Sequence, residues 1–182
     1  FPADNGSNQF DLNNPNRILQ KGDKYGYDYN INITRSAAWA QGVFKFSKLD
    51  LFLAGTASQT AFYRQGNTRH GLFPDNSFGK GTVNSFFNYG GKGGVTYKID
   101  GRNYVSVNAS YQTRAPYFEN VYVSPRTRNA QQDNVTSETI QTIEGSYVLN
   151  APKLKVRLGG YYTRFMGAMD VMTFYHDAYQ NF

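Results

Sequence analysis

The side chains of this sequence best suited to chemistry are arginines and aromatic residues in two long segments without a regular pattern. Guanidinium groups and aromatic rings are interspersed between residues 64 and 84 and between residues 114 and 137. A guanidinium pairs with anionic groups and also stacks on aromatic faces. These segments therefore predict contacts with an anionic or aromatic ligand, such as a chelated metal complex or a glycan. The candidate residues are Arg64, Arg69, His70, Arg114, Tyr117, Phe118, Arg126 and Arg128.

Catalytic and metal-binding patterns find little support. The two histidines, His70 and His176, stand in predicted loops with no metal-ligand spacing around them. The stretch Gly90-Gly91-Lys92-Gly93-Gly94 resembles a phosphate-binding loop in composition only, because no Lys-Ser/Thr pair and no helix follow it. No Ser-His-Asp set or carboxylate pair can be assembled from the pattern. We therefore expect no enzymatic activity, no cofactor and no metal site.

The composition points to strands with one apolar and one polar face. Aromatic residues make up 16% of the 182 residues, Gly occurs 18 times and Cys is absent. Mean hydropathy is −0.60, and no apolar run approaches the roughly 18 residues of a membrane helix. Barrel strands alternate apolar and polar residues, so average hydropathy misses them. The net charge of +6 is scattered rather than gathered in a stripe, so no nucleic-acid partner is expected.

Alternation with a period of two is the dominant pattern along the chain. It runs from Phe87 to Ile99, from Val105 to Gln112, from Thr139 to Leu149 and from Leu154 to Thr163, and less regularly over 38–46 and 51–63. Asp100-Gly101 predicts a two-residue hairpin turn, because both residue types tolerate positive φ. We therefore predict an all-β, antiparallel protein of about six or seven strands, with almost no helix.

The connections alternate in length. Short turns are predicted at 47–50, 99–102 and 150–153, and long loops at 64–84 and 114–137, with a further one beginning at 165. Outer-membrane barrels combine tight periplasmic turns with long outer loops, whereas β-sandwiches mix lengths at both ends. The fold predicted is an antiparallel transmembrane β-barrel segment with long outer loops. In the strands that follow the turns at 99–102 and 150–153, one set of alternate residues would face lipid: Val105, Val107, Ala109, Tyr111, Val156, Leu158 and Tyr162. The other set would face a polar interior: Ser106, Asn108, Gln112, Lys155 and Arg157.

The beginning of the chain is ambiguous. Residues 25–34 alternate cleanly, but the pattern becomes irregular between Arg35 and Trp39. We predict one long strand with a bulge or, alternatively, an outer-loop hairpin. Residues 1–24 are predicted as an outer loop.

The predicted number of strands is too small to close a barrel. Single-chain bacterial barrels have at least about eight strands, so we expect residues 1–182 to be a partial barrel domain that does not close by itself. Phe182 is interpreted as the edge of a fragment, since Ala178 and Gln180 break the alternation expected before a terminal aromatic residue.

The stretch from Tyr104 to Tyr147 contains four characteristic elements: Ser110-Tyr111-Gln112-Thr113-Arg114-Ala115-Pro116-Tyr117-Phe118, Val123-Ser124-Pro125-Arg126-Thr127-Arg128-Asn129, Asn134-Val135-Thr136-Ser137-Glu138 and Glu144-Gly145. With these elements it resembles TonB-dependent receptors, and the wording between Thr113 and Asn129 is similar to that of receptors of the Bacteroidota. Ser137 replaces the Pro usual in the third element. The resemblance implies a barrel of about 22 strands with a plug domain and a TonB box, neither of which is in this sequence.

The function expected from this resemblance is that of an outer-membrane receptor. The chain would supply barrel wall and ligand-binding loops of a TonB-dependent importer of a siderophore-, vitamin- or glycan-like ligand. Its partners would be outer-membrane lipid and lipopolysaccharide, the remainder of the receptor including the plug, and the TonB complex. Two alternatives stay open: a structural or adhesin-like outer-membrane protein, and loop arginines that brace the loops or bind lipopolysaccharide phosphates instead of a ligand.

Overall fold

The computed structural model describes residues 9–171, and in them it is built almost entirely from β-strands. The predictions of an all-β, antiparallel fold are confirmed. The only helical element in this range is a 3-10 turn at Phe118–Asn120, and no helix in it is long and apolar enough to cross a membrane. The strands are β1 (Tyr29–Lys45), β2 (Leu49–Gly66), β3 (Gly79–Lys80), β4 (Asn84–Lys98), β5 (Asn103–Arg114), β6 (Glu138–Ala151) and β7 (Leu154–Met166).

The strands form one sheet in the order β1-β2-β4-β5-β6-β7, with the short β3 paired to the end of β2. All neighbours are antiparallel, and each long strand pairs with the next long strand in the chain. The three short turns therefore lie at one end of the sheet, and loops 67–83 and 115–137 lie at the other. We call these the turn end and the loop end. The prediction that the short turns lie at one end of the strands and the long loops at the other is confirmed for this sheet.

The predicted two-residue turn at Asp100-Gly101 is wrong. The turn spans four residues, 99–102, and neither Asp100 nor Gly101 has positive φ. The Asp100 carboxylate instead accepts hydrogen bonds from the backbone N–H groups of Arg102 and Asn103, at 2.7 Å each. These bonds lower the pKa of Asp100, the one from Arg102 most. An Asp side chain that satisfies backbone donors in this way stabilises the longer turn.

β1 is one uninterrupted strand of 17 residues, so both the predicted bulge and the predicted outer-loop hairpin are wrong. It pairs with β2 without interruption from Tyr29↔Gly66 to Lys45↔Asp50. The irregularity in the sequence arises because Arg35 occupies a position in the row of apolar residues, not because the phase shifts. Residues 9–28 contain no strand, and hydrogen bonds such as Leu12 N to Arg69 O (2.8 Å) hold them at the loop end. Phe182, His176 and residues 1–8 lie outside the described residues.

The register divides the sheet into two faces, since paired residues point to the same side. Every charged residue of the six long strands except Arg164 lies on one face, which we call the charged face. The other, the apolar face, carries the odd-numbered residues of β2, β4, β5 and β6 and the even-numbered residues of β7. The apolar and polar sets predicted for β5 and β7 fall on opposite faces as expected. β1 is the exception, because Ile31, Ile33, Trp39 and Val43 lie on the charged face.

Gly66 marks the point where loop 67–83 presses against the end of β2. A Cβ at Gly66 would lie 1.8 Å from the backbone carbonyl oxygen of Ser77, whereas a Cβ at Gly55 in the same strand would meet nothing within 4 Å. Gly66→Ala must displace loop backbone, and we expect it to lower the free energy of unfolding by about 1–3 kcal/mol. Gly55→Ala should cause no loss. Urea unfolding in detergent, followed by β circular dichroism, measures both; equal stability of the two variants would contradict this packing.

Candidate functional site

Loop 115–137 folds over the loop end of the charged face and buries a small apolar cluster there. Phe62, Val121 and Tyr122 form its centre, with Ile31, Phe86, Phe118 and Val135 packed around them. The 3-10 turn at Phe118–Asn120 brings Val121 and Tyr122 down onto Phe62, because its backbone bonds run from the N–H groups of both residues to the Phe118 carbonyl. The cluster fixes the loop on the sheet and so positions the site residues that precede and follow it.

Arg64 joins both long loops to the sheet. The sequence assigned it to a loop, but it lies in β2 with only 1% of its surface exposed. Its Nε–H donates to the Pro125 carbonyl (2.6 Å), and Nη1 donates to the Ser77 carbonyl (2.9 Å) and to Asn129 Oδ1 (2.7 Å). Its backbone N–H donates to the Tyr122 hydroxyl at 2.9 Å. Arg64 therefore braces the loops, which was the alternative to ligand contact in the sequence analysis.

Three further loop arginines stack on aromatic rings at the loop end. Their guanidinium carbons lie 4.4–5.6 Å from the ring centroids, within cation–π range. The contacts of Arg126 and Arg128 hold loop 115–137 against residues 9–28 and against loop 67–83, whereas Arg69 stacks within its own loop. The structure does not gather the three arginines into one site. The pairs are Arg69 with Phe78, Arg126 with Tyr27, and Arg128 with Phe73.

His70 is held by its own loop. Its Nδ1 accepts a hydrogen bond from the Leu72 backbone N–H at 3.2 Å, and its backbone N–H donates to the Ser77 hydroxyl at 2.8 Å. Burial lowers the pKa of His70 below its usual value, so the ring is neutral at pH 7. A neutral ring that already accepts a backbone hydrogen bond suits loop structure better than anion binding.

Arg114, Tyr117 and Phe118 do converge. They line an open groove of about 430 Å³ on the charged face beneath loop 115–137, which we call the loop-end groove. Arg114 is the last residue of β5, and the chain turns at Ala115-Pro116 so that Tyr117 and Phe118 come back over the sheet. β1 and β2 contribute Arg35, Ser58 and Thr60 to the same groove. A groove of this size is sufficient for a small ligand.

The two arginines of the loop-end groove differ, because one of them has an ion pair and the other has none. Arg114 pairs with the Glu138 carboxylate, and its Nη1 donates to the Tyr117 hydroxyl at 3.3 Å. Arg35 has no ion pair or hydrogen bond to any side chain within residues 9–171. The groove therefore presents one free positive charge beside two hydroxyls and an aromatic wall. Such a surface can hold an anionic group with an apolar or aromatic body attached.

Sequence reasoning missed Arg35. It lies in a different predicted strand from Arg114, and only the pairing of β1 with β2, of β2 with β4 and of β4 with β5 brings both onto one face of the sheet. The one available signal was its position as a charge within the apolar row of β1. A charge there is costly unless that row faces a polar space.

Other chemistry is not assembled in the described part of the chain. Among residues 9–171 no group of three or more His, Cys, Asp or Glu is placed to hold a metal ion. The run Gly90–Gly94 lies within β4, with Gly90 and Gly94 on the charged face and Gly91 and Gly93 on the apolar face. It is therefore strand backbone and not a phosphate-binding loop.

Comparison with known proteins finds no match: no protein family, no curated protein and no solved structure is similar to this chain. Function must therefore be inferred from the sheet, its faces and the groove.

The bracing role of Arg64 can be tested by protection of loop 115–137. Arg64→Lys keeps the charge but cannot reach the three acceptors in their different directions. Each lost charged hydrogen bond costs roughly 1.5–3 kcal/mol, so local opening should increase by at least about tenfold. Limited trypsin cleavage after Arg126 and Arg128 should accelerate accordingly. The control is the exposed Arg69→Lys, which should leave the rate unchanged; equal rates for the two variants would show that Arg64 does not hold the loop.

Proposed function

We propose that the apolar face lies against the lipid of a bacterial outer membrane, so that the chain forms part of the wall of a transmembrane β-barrel. The observation that carries this proposal is a broad, exposed face whose only charged residue from the six long strands within residues 9–171 is Arg164, at its loop end. Side chains such as Phe87, Leu158 and Tyr162 are 64–65% exposed. On the same face, Leu158 pairs with Tyr147 and Tyr162 pairs with Ile143. Soluble monomers rarely expose apolar patches beyond a few hundred Å², so a surface of this extent needs an apolar environment.

The height of the apolar band supports lipid contact. On β7 it runs from Leu154 to Tyr162 and ends at Arg164; on β5 it runs from Val105 to Tyr111, between Asn103 and Thr113. The nine residues on β7, at about 3.3 Å each, extend roughly 30 Å along the strand, and the seven on β5 extend roughly 23 Å. A tilt of about 35–45° reduces the β7 band to roughly 21–25 Å, which is close to the apolar height of outer-membrane barrels, and the β5 band to roughly 16–19 Å.

Aromatic residues border the band on both sides. Tyr97 and Tyr147 lie near the turn end, where both flank Val105 in the register, and Tyr89, Tyr111 and Tyr162 lie toward the loop end. Aromatic rings with a polar tip favour the two interfaces between lipid and water. Under this proposal, the turns lie on one side of the membrane and the long loops on the other.

The edges of the sheet indicate a larger barrel. Within residues 9–171, β1 and β7 are the outer strands, and each pairs on one side only. Unpaired N–H and C=O groups cost several kcal/mol each in hydrocarbon. We infer that further strands cover both edges, in a barrel of about 22 strands if the resemblance to TonB-dependent receptors holds.

The receptor function rests on this wall together with the loop-end groove. We infer a TonB-dependent importer for a siderophore-, vitamin- or glycan-like ligand, whose outer side is formed by the long loops. The free charge of Arg35, the Arg114–Tyr117 pair and the hydroxyls of Ser58 and Thr60 supply ligand contacts on the charged face. The plug, the TonB complex and lipopolysaccharide are proposed partners.

A charge on the apolar face tests lipid contact. Val107→Lys places an ammonium near the middle of the band, where it costs roughly 2–4 kcal/mol in a membrane. We expect less protein in the outer-membrane fraction and loss of heat-modifiable gel migration. The matched control is Asn108→Lys, one residue along on the charged face and beside Glu144. Normal insertion of Val107→Lys would contradict lipid contact.

Cysteine labelling tests the sidedness, and the chain has no Cys of its own. Asp133→Cys lies in loop 115–137 and Arg102→Cys in the β4–β5 turn, and both positions are exposed. In intact cells a membrane-impermeant maleimide should label position 133 alone. After the cells are broken it should label both. Labelling of position 102 in intact cells would contradict the proposed orientation.

A further inference from the structure

A second depression crosses the charged face nearer its middle, between Trp39 on β1 and Gln112 on β5. The register places Trp39, Thr56, Gly90 and Gln112 in one row across four neighbouring strands. The next row toward the turn end contains Gln41, Ala54, Lys92 and Ser110. Together they enclose an open groove of about 440 Å³, which we call the glycine trough. It is distinct from the loop-end groove, with which it shares no residue.

The floor of the glycine trough is low because Gly90 has no side chain. A Cβ at Gly90 would lie 2.9 Å from Gln112 Cβ and 3.2 Å from Thr56 Cγ2, so a larger residue would force its neighbours apart. The walls, Trp39 and Gln112, are three strand spacings from each other, or roughly 14 Å. The trough is therefore a shallow slot with a wide mouth, suited to an elongated ligand lying along the sheet.

Trp39 forms one wall and is the only Trp in the sequence. It is 71% exposed and lies on the charged face, opposite the face with the aromatic belts. Lipid contact therefore does not account for it. A large, flat and exposed indole in polar surroundings is suited to stacking on a ligand with a flat apolar side.

Apart from Lys92, the polar side chains that line the trough are neutral amides and hydroxyls. Within residues 9–171 the side chains of Gln41, Ser110 and Gln112 make no hydrogen bond. The ammonium of Lys92 lies 5.3 Å from the centre of the Phe52 ring, which is one row further toward the turn end and does not line the trough. A trough with amides and hydroxyls free to donate and accept favours a neutral ligand that carries many hydroxyls.

We propose that the glycine trough binds a neutral oligosaccharide. One sugar ring stacks its C–H face on Trp39, and its hydroxyls exchange hydrogen bonds with Gln41, Ser110 and Gln112. A polypeptide fits less well, since the core of a protein interface is mostly apolar and the trough offers a single large apolar group. The inference rests on the proposed receptor function and narrows its ligand to a glycan.

The test measures saccharide binding to the whole protein purified in detergent from the outer membrane, by titration calorimetry. The probes are maltotriose, xylotriose and triacetylchitotriose, and tetra-alanine serves as a peptide probe. We expect at least one trisaccharide to bind. Trp39→Ala should weaken that binding by at least about tenfold, and Trp39→Phe, which keeps an aromatic face, by less.

Filling the trough gives a second test with a matched control. Ala54→Leu adds bulk to the floor and should also weaken binding, whereas Ala57→Leu adds the same bulk on the apolar face and should not. Heat-modifiable migration of the same samples reports insertion separately. An inserted protein that binds no trisaccharide, binds equally after Trp39→Ala, or binds only tetra-alanine overturns the glycan inference and leaves the barrel proposal standing. A protein absent from the membrane overturns the barrel proposal itself.

Discussion

The unbroken antiparallel register between neighbouring strands decides which side chains share a face, and the rest of the structure depends on it. Because side chains alternate with a period of two, a slip of one residue would transfer a whole row to the opposite face. In β4–β7 such a slip would move Lys92, Glu144 and Arg157 into the apolar band. The charge pattern therefore specifies one register and opposes all shifted ones. Both grooves, the loop-end groove and the glycine trough, exist only in this register, since each takes its walls from several strands.

The loop end shows how a sheet without a sandwiched core stabilises long loops. Within residues 9–171, Phe62, Val121 and Tyr122 form the buried apolar centre there. The buried guanidinium of Arg64 also holds the loops, through hydrogen bonds to carbonyl and amide oxygens. A buried charge is tolerated when its donors are satisfied, and a planar guanidinium can satisfy acceptors in several directions at once. The same arginine chemistry, left unpaired at Arg35, becomes available to a ligand.

Much of the fold could be predicted because β4, β5, β6 and β7 alternate regularly and their turns are short. The errors occurred where a single side chain changes the local outcome. Arg35 interrupts the apolar row of β1 and imitates a bulge, and the Asp100 carboxylate stabilises a four-residue turn where the residue types favour two. The site was predictable only where its residues are close in sequence, as Arg114, Tyr117 and Phe118 are. Arg35 and the glycine trough depend on pairing between distant strands, which one sequence does not reveal.

We propose that one face of this sheet meets lipid and the other a polar interior. A spin-label scan along β5 (Asn103–Arg114), with the protein in lipid bilayers, tests it most directly. Oxygen concentrates in lipid and a charged nickel complex in water, so their relative access to each label reports its surroundings. If the apolar face meets lipid, the ratio of oxygen access to nickel access should alternate with a period of two. It should be high for labels at Val105, Val107, Ala109 and Tyr111 and lower at the even positions between them. Equal access along the strand, or nickel favoured at the odd positions, would contradict it.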